Sequence, residues 1–339
     1  MPRLLFLVSS AREMPLADGS PHVTGFFADE ALTPYERFVE AGVDVVVATP
    51  DGQPPFADPY GLEEIFHYPD DDKDFLGSVV RSFAHDVDDI RLTLRHLTEL
   101  GMVGARRVFL AMQEHGVPAK EARRLVNQAA KITWQQDRPF ADVLVEENLS
   151  GPLSRAEVEA AIAEVIADSK KESDEVARKL AEIPGFQRPA NLSTMTDAEM
   201  SEFDAVFAPG GHGPMVDMAN NPQITRLLGL LHAKRAPIAS LCHGPAFLLA
   251  APANTDGQWL FDGYRMTSFT DEEESQTPSG KHGMQWYLET ELRNAGAVFD
   301  DARAAWTSHV VVDRNLITAQ NPNSADAVAD AVLKSLDRL

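Results

Sequence analysis

Two hydrophobic patterns alternate along the chain. The first is the short, unbroken apolar run: RLLFLV (3–8), DVVVAT (44–49), DAVFAPGG (204–211) and APIASL (236–241). Continuous runs of this kind suit strands that are covered on both faces, as in a parallel sheet between helical layers. A helix predicted over about 27–41 joins the first two runs into a βαβ opening. Further on, HVVVDRNLITAQNP (309–322) predicts two strands around a turn at 313–315, and 266–269 a short strand. Helices are predicted near 221–234, over 286–295 and from Ser324 onward. The segment 9–24 and the Pro- and Asp-rich segment 50–74 predict loops.

The second pattern has a helical period. Leu76, Val80, Phe83, Val87, Ile90, Leu94 and Leu97 recur at steps of four and three, the stripe of a long amphipathic helix. Helices are also predicted at about 118–136 and 154–182, the last opening on Ser154 with Glu157 three residues later, a capping-box spacing. The expected organisation is therefore an α/β core of residues 1–74 and 191–339, interrupted by a mainly helical insertion at 75–190. A stripe that regular needs a surface to bury against, so the insertion is expected to serve as a cap or a subunit interface.

Composition changes this picture at three points. The chain of 339 residues holds a single cysteine, which excludes a disulfide framework and a Cys-rich zinc module. Its formal charge of −22 argues against nucleic acid and anionic membranes as partners. The opening MPRLLFLVSS reads as a strand, since its apolar stretch is short and lacks a small-residue cleavage site. No apolar run approaches the eighteen or so residues of a membrane span. A cytoplasmic protein is the expectation.

The single cysteine, Cys242, ends the APIASL run and precedes His243, Gly244 and Pro245 and a second apolar run expected to be helical. A strand-to-helix turn presents its residue at the carboxyl edge of a parallel sheet, where ligands of such folds bind. A helix N-terminus and a neighbouring imidazole both favour a thiolate, so Cys242 is expected to titrate below a free thiol. The competing view is that Cys242 is simply a small core hydrophobe. Glu30 falls where the loop after the first strand becomes helix. It is either an acid beside the thiol or only a first-turn complement to the helix dipole. His212, in the weak GGHG turn (210–213), and His282 invite a metal reading together with His243. No HxxxH or HxxE spacing links them, so neither metal nor cofactor is expected.

The stretches TGFFADEALTPYERFVEAGVDVVVATPDG, FDAVFAPGGHGPMVDM, PIASLCHGP, SFTDEEE and LITAQNPNSA, in this order, resemble the signature blocks of the class I glutamine amidotransferase-like superfamily. They are most similar to its PfpI branch, and within it to the glyoxalase III and heat-shock chaperone subgroup. There too the elbow reads Cys-His and the glutamate block TG…E followed by Pro. The resemblance implies a flavodoxin-like parallel sheet sandwiched by helices, with Cys242 as nucleophile and His243 as its proton shuttle. Glu30 would be a protonated acid on the sulfur, and the N–H groups of Gly211 and His243 an oxyanion hole. The third triad member falls at Glu274, with Asp271 as the alternative in the same acidic run. The implied activity is glutathione-independent conversion of methylglyoxal-type 2-oxoaldehydes to 2-hydroxy acids through a cysteine hemithioacetal, by a homodimer acting on a small aldehyde. A stress-response holding chaperone, or a deglycase or redox sensor, is the alternative. Glutamine amidotransfer does not fit, because Cys242 is followed by histidine and no later His-x-Glu occurs.

Overall fold

The computed structural model describes residues 1–62, 75 and 99–337. The predicted stripe from Leu76 to Leu97 lies outside them. Eleven strands are described: β1 (Arg3–Leu7), β2 (Glu13–Pro15), β3 (Pro21–Val23), β4 (Asp44–Thr49), β5 (Ala190–Asn191) and β6 (Ala205–Ala208) come first. Then follow β7 (Ile238–Leu241), β8 (Arg265–Met266), β9 (Val298–Phe299), β10 (Val310–Asp313) and β11 (Leu316–Ala319). Seven form the main sheet, in the order β10-β11-β7-β6-β1-β4-β5. Every neighbouring pair is parallel except the edge hairpin β10–β11.

The unbroken apolar runs form strands because both sheet faces are covered. Leu5 and Leu7 of β1, Val206 and Ile238 enter one buried cluster with Ile224, Leu227 and Leu231 of the helix Pro222–Ala233. Leu4, Phe6, Phe207 and Ala239 face the other way. They pack with Phe38 of the helix Ala28–Glu40 and Val328 and Val332 of the helix Ala325–Leu336. Alternate residues of one strand thus feed opposite cores, as a period of two requires. Each fully buried Leu or Phe contributes roughly 1.5–3 kcal/mol from burial alone.

The chain falls into two compact units, Met1–Leu62 with Val176–Leu339, and Glu63–Glu175. The second has its own core, in which Val108, Met112, Val126, Phe140, Leu144 and Val158 are buried. Its closing boundary lies earlier than residue 190. The end of the helix Arg155–Glu182 places Val176 and Leu180 in the cluster of Leu4 and Phe6, so those residues belong to the first unit. Ser154 and Glu157 close the predicted capping box, with Ser154 Oγ donating to Glu157 Oε2 at 2.6 Å.

Two local expectations are corrected. The 9–24 segment contains a small hairpin, β2–β3, around Asp18 and Gly19. The strand expected over 266–269 is only Arg265–Met266. The run after Cys242 is helical as expected, in the form of a seven-residue 3₁₀ helix, Gly244–Ala250. Among the described residues no helix is long and apolar enough to cross a membrane.

The topology positions the site. From β1 the chain crosses to β4 and β5 on one side, then returns to β6 on the other, so strand order reverses between β1 and β6. The crevice at the carboxyl ends of such strands is where ligands of open α/β sheets bind. Glu30 follows β1, Gly210 and Gly211 follow β6, and Cys242 follows β7.

Candidate active site

Strand β7 runs straight into Cys242, whose φ of 56° is left-handed, a strained conformation for a side chain with a Cβ. The backbone holds it there on both sides. Cys242 N–H donates to Ala319 O at 2.9 Å, and Phe269 N–H donates to Cys242 O at 2.9 Å. The turn is tight enough to require Gly244, since a Cβ there would lie 2.3 Å from Ser240 Oγ and 2.5 Å from Ala208 O. At Gly210 a Cβ would lie 2.5 Å from Glu30 Oε2 and 2.7 Å from Cys242 Cβ. A glycine therefore lets β6 end against both groups.

Glu30 is fully buried, its Oε2 accepting the Gly210 N–H at 2.9 Å. Its Oε1 is buried with no hydrogen-bond partner, and the carboxyl packs beside Cys242 at the Gly210 turn. Burial pushes the Glu30 pKa up to about 8, against the pull of the neighbouring Cys242 and the Gly210 N–H. The carboxyl is therefore protonated at neutral pH. Burial also pushes the Cys242 thiol well above its ordinary range, and negative charge on Glu30 would push it further. The neighbouring N–H of Gly211 opposes this only in part. The expected low thiol pKa is thus overturned: the 3₁₀ turn behind Cys242 is short, and the neighbouring imidazole is uncharged.

That imidazole is His243. Its Nδ1 lies 3.3 Å from Cys242 Sγ and its Nε2 2.6 Å from Glu274 Oε2. Burial and then the charge of His212 carry its pKa down to about 4, although Glu274 pulls the other way. With Nε2–H given to the carboxylate, Nδ1 carries the lone pair that faces the thiol, which is the tautomer a base needs. The ring rests against Phe269, centroids 4.5 Å apart.

Glu274 is the acid that reaches His243. Asp271 is turned away, its Oδ2 accepting from Thr290 Oγ1 at 2.5 Å. The helix Asp271–Gln276 sets this register through its own capping box, Thr270 with Glu273. Glu273 is further held by Trp306 N–H, Gln320 Nε2 and Asn321 Nδ2 at 2.7, 3.0 and 2.8 Å. Burial alone would raise the Glu274 pKa. The two imidazoles outweigh it and hold the carboxyl well below its ordinary range.

The second of those imidazoles, His212, stands 3.0 and 3.1 Å from the two Glu274 oxygens, its ring 4.1 Å from that of His243. Thr277 Oγ1 donates to Glu274 Oε1 at 2.7 Å and Ser279 Oγ lies 3.3 Å from the same oxygen. The sequence marks His212 only through the GGHG turn and a metal reading, and it does not mark Thr277 or Ser279. Their common partner is more than sixty residues from His212, a distance no local pattern spans. His282 stays apart, exposed with Nδ1 on Pro278 O. His212, His243 and Glu274 place donor atoms within 4.8 Å of one another, a two-imidazole, one-carboxylate set that could hold a metal ion. In this structure the carboxylate already takes up both imidazoles.

The backbone N–H groups of Gly211 and His243 donate to no protein oxygen among the described residues. Gly211, at φ 85°, lies close enough to Cys242 for its N–H to favour the thiolate. The cluster can therefore add a thiol to an electrophilic carbon and move protons.

The Glu30 environment carries a pH signature. Its proton is bound more tightly folded than unfolded, where the pKa is 4.5, so stability is full below pH 4.5 and falls as pH rises through about 8. The loss reaches about 5 kcal/mol at most. Denaturant titrations at pH 5 and pH 8 are expected to show it in the wild type, with a much smaller fall in Glu30→Gln. Equal falls in both would mean that Glu30 is ionised in the folded protein.

The DJ-1/PfpI family model matches residues 141–335. Glyoxalase 3 of Candida albicans is 26% identical over 150 residues, 43% of this chain and 64% of that protein. The protein/nucleic acid deglycase HchA of Escherichia coli is 32% identical over 150 residues, 42% of this chain and 50% of that protein. The chain thus spans less than two thirds of the length of these curated relatives. The crystal structure of glyoxalase III from Candida albicans superposes with a TM-score of 0.56 at 18% identity, over 98% of this chain and 97% of that one. This last likeness concerns the fold.

Proposed function

This chain belongs to the DJ-1/PfpI family, and from that premise we propose that it is a glyoxalase III-like lyase. It converts methylglyoxal-type 2-oxoaldehydes to 2-hydroxy acids with Cys242 in place of glutathione. One observation carries the reading: a buried thiol 3.3 Å from an uncharged imidazole that Glu274 holds at 2.6 Å. His243 takes the thiol proton as sulfur bonds the aldehyde carbon, C1, and hands it to the C1 oxygen, which becomes a hydroxyl and leaves His243 neutral again. His243 then removes the C1 hydrogen as a proton and returns it to C2 through an enediol. The product is a thioester of Cys242, which water cleaves to the 2-hydroxy acid and the free thiol. Protonated Glu30 gives its proton in a hydrogen bond to sulfur as the charge there develops and so stabilises it.

A holding chaperone needs exposed apolar surface. Among the described residues the large apolar side chains left exposed are Met1 and five valines, which favours the enzyme. The test is to incubate the pure chain with methylglyoxal, without glutathione, and follow lactate. Lactate in proportion to methylglyoxal consumed supports the proposal; consumption without lactate removes it.

A further inference from the structure

We propose that Thr277 is a positioning residue for this site: its hydroxyl pins one oxygen of Glu274 and so leaves the other aimed at His243. This rests on Glu274 orienting His243 in the reaction proposed above.

The need for a pin comes from the carboxyl itself. The last torsion of a glutamate side chain is soft and two-fold, so the group turns easily unless its oxygens are held. His212 does not fix that turn, because its Nε2 sits almost evenly between the two oxygens, at 3.0 and 3.1 Å. His243, at 2.6 Å from Oε2, is the group that has to be oriented. Thr277 makes the asymmetric contact, its Oγ1 donating to Oε1 at 2.7 Å. Hydrogen bonds to a charged oxygen are among the stronger ones.

The local chain holds the hydroxyl to this task. Thr277 closes the helix Asp271–Gln276 and opens the short helix Pro278–His282. Its N–H donates to Glu274 O at 3.0 Å, which ties it to the residue it serves. On its acceptor side, Oγ1 takes the Gly280 N–H at 3.0 Å and meets Ser279 Oγ at 2.9 Å. Two oxygens of Glu274 are in reach of the hydroxyl hydrogen. The backbone oxygen is 3.0 Å away, neutral and already bonded to the Thr277 N–H; the carboxylate oxygen is nearer and charged, and takes it.

Ser279 is a weaker candidate for the same role. Its Oγ stands 3.3 Å from Oε1 and 3.4 Å from His212 Nε2, against 2.9 Å from Thr277 Oγ1, so it backs the threonine rather than the glutamate. Thr277, Ser279 and Glu274 are each buried, which leaves bulk water little access to the gap a missing hydroxyl would open. The branched Cβ of threonine also leaves it few rotamers, so the donor is in place before substrate arrives.

The test is Thr277→Val, which removes the hydroxyl at nearly constant shape. With methylglyoxal the expected result is a kcat about 10-fold below wild type with KM unchanged, the scale of one hydrogen bond to a charged group. Thr277→Ser restores the donor and should restore most of the turnover. The valine also loses the cap on the Gly280 N–H, so a readout other than turnover separates the two roles. The His243 N–H shared with Glu274 is followed as a far-downfield proton NMR signal; it should move and broaden in the valine variant and keep its place in the serine variant. Should the valine variant fail to fold, Thr277→Ala is read in the same way. An unmoved signal, an unchanged kcat, or equal losses in the serine and valine variants would mean that Thr277 only caps the next helix, and would overturn the proposal. Absence of lactate from the wild type overturns the glyoxalase reading instead, and the NMR signal still decides the role of Thr277.

Discussion

Cys242→Ser is expected to lower lactate formation from methylglyoxal by at least about 10⁴-fold, the scale of removing a triad nucleophile. Only one atom changes, and the elbow should survive, because its hydrogen bonds to Ala319 and Phe269 are made by the backbone. The chemistry does not survive. A hydroxyl is a far weaker acid than a thiol, so His243, whose pKa lies at about 4, is far less able to deprotonate it than it is the thiol. Glu30 is also matched to sulfur: it is protonated and adds no negative charge beside the developing thiolate. Steady-state kinetics of the variant, with a thermal melt to confirm folding, would measure the loss. Turnover within a few per cent of wild type would mean that the thiol is a core hydrophobe, as its near-complete burial would otherwise suggest.

Glu274→Gln is expected to lower kcat by about 10³–10⁴-fold with little change in KM, as when the orienting acid of a triad becomes an amide. The carboxylate accepts on both sides. Oε2 lies 2.6 Å from His243 Nε2 and 3.0 Å from His212 Nε2, and Oε1 accepts from Thr277. An amide has one oxygen for these donors and must aim its NH₂ at another. If the NH₂ meets His243, the ring must carry its proton on Nδ1, where it can no longer accept from the thiol. Losing the negative charge also lowers the pKa of both His243 and His212, since Glu274 raises each. The variant should therefore lose turnover at every pH, with no recovery in alkali. A fall confined to KM would show that Glu274 binds substrate rather than orienting the base.

Much of this site is legible in the chain because it hangs on strand ends. The runs RLLFLV, DAVFAPGG and APIASL are unbroken because β1, β6 and β7 are covered on both faces, and the last two lead directly into Gly210 and Cys242. The acidic run after Thr270 is ambiguous as composition but not as a cap. With Thr270 at the N-cap, Glu273 is drawn back to it, and the next residue, Glu274, faces the histidines. The thiol's pKa is misread from the sequence because burial outweighs a helix end, and neither the depth of Cys242 nor the 3₁₀ form of the next turn appears in local pattern. The pairing of His212 with Glu274 is missed for a related reason. The glutamate enters from a separate helix 62 residues later. The β2–β3 hairpin escapes because three-residue strands around Asp18-Gly19 show no alternation, even with a turn signal between them.

Rapid-quench intact-mass spectrometry of the purified chain turning over methylglyoxal, without glutathione, tests directly whether Cys242 carries the substrate. The expected result is a one-equivalent adduct on the peptide containing Cys242 that forms before lactate and decays at the rate lactate appears. An adduct that persists while no lactate forms, or lactate formed at full rate with Cys242 unmodified throughout, would contradict it.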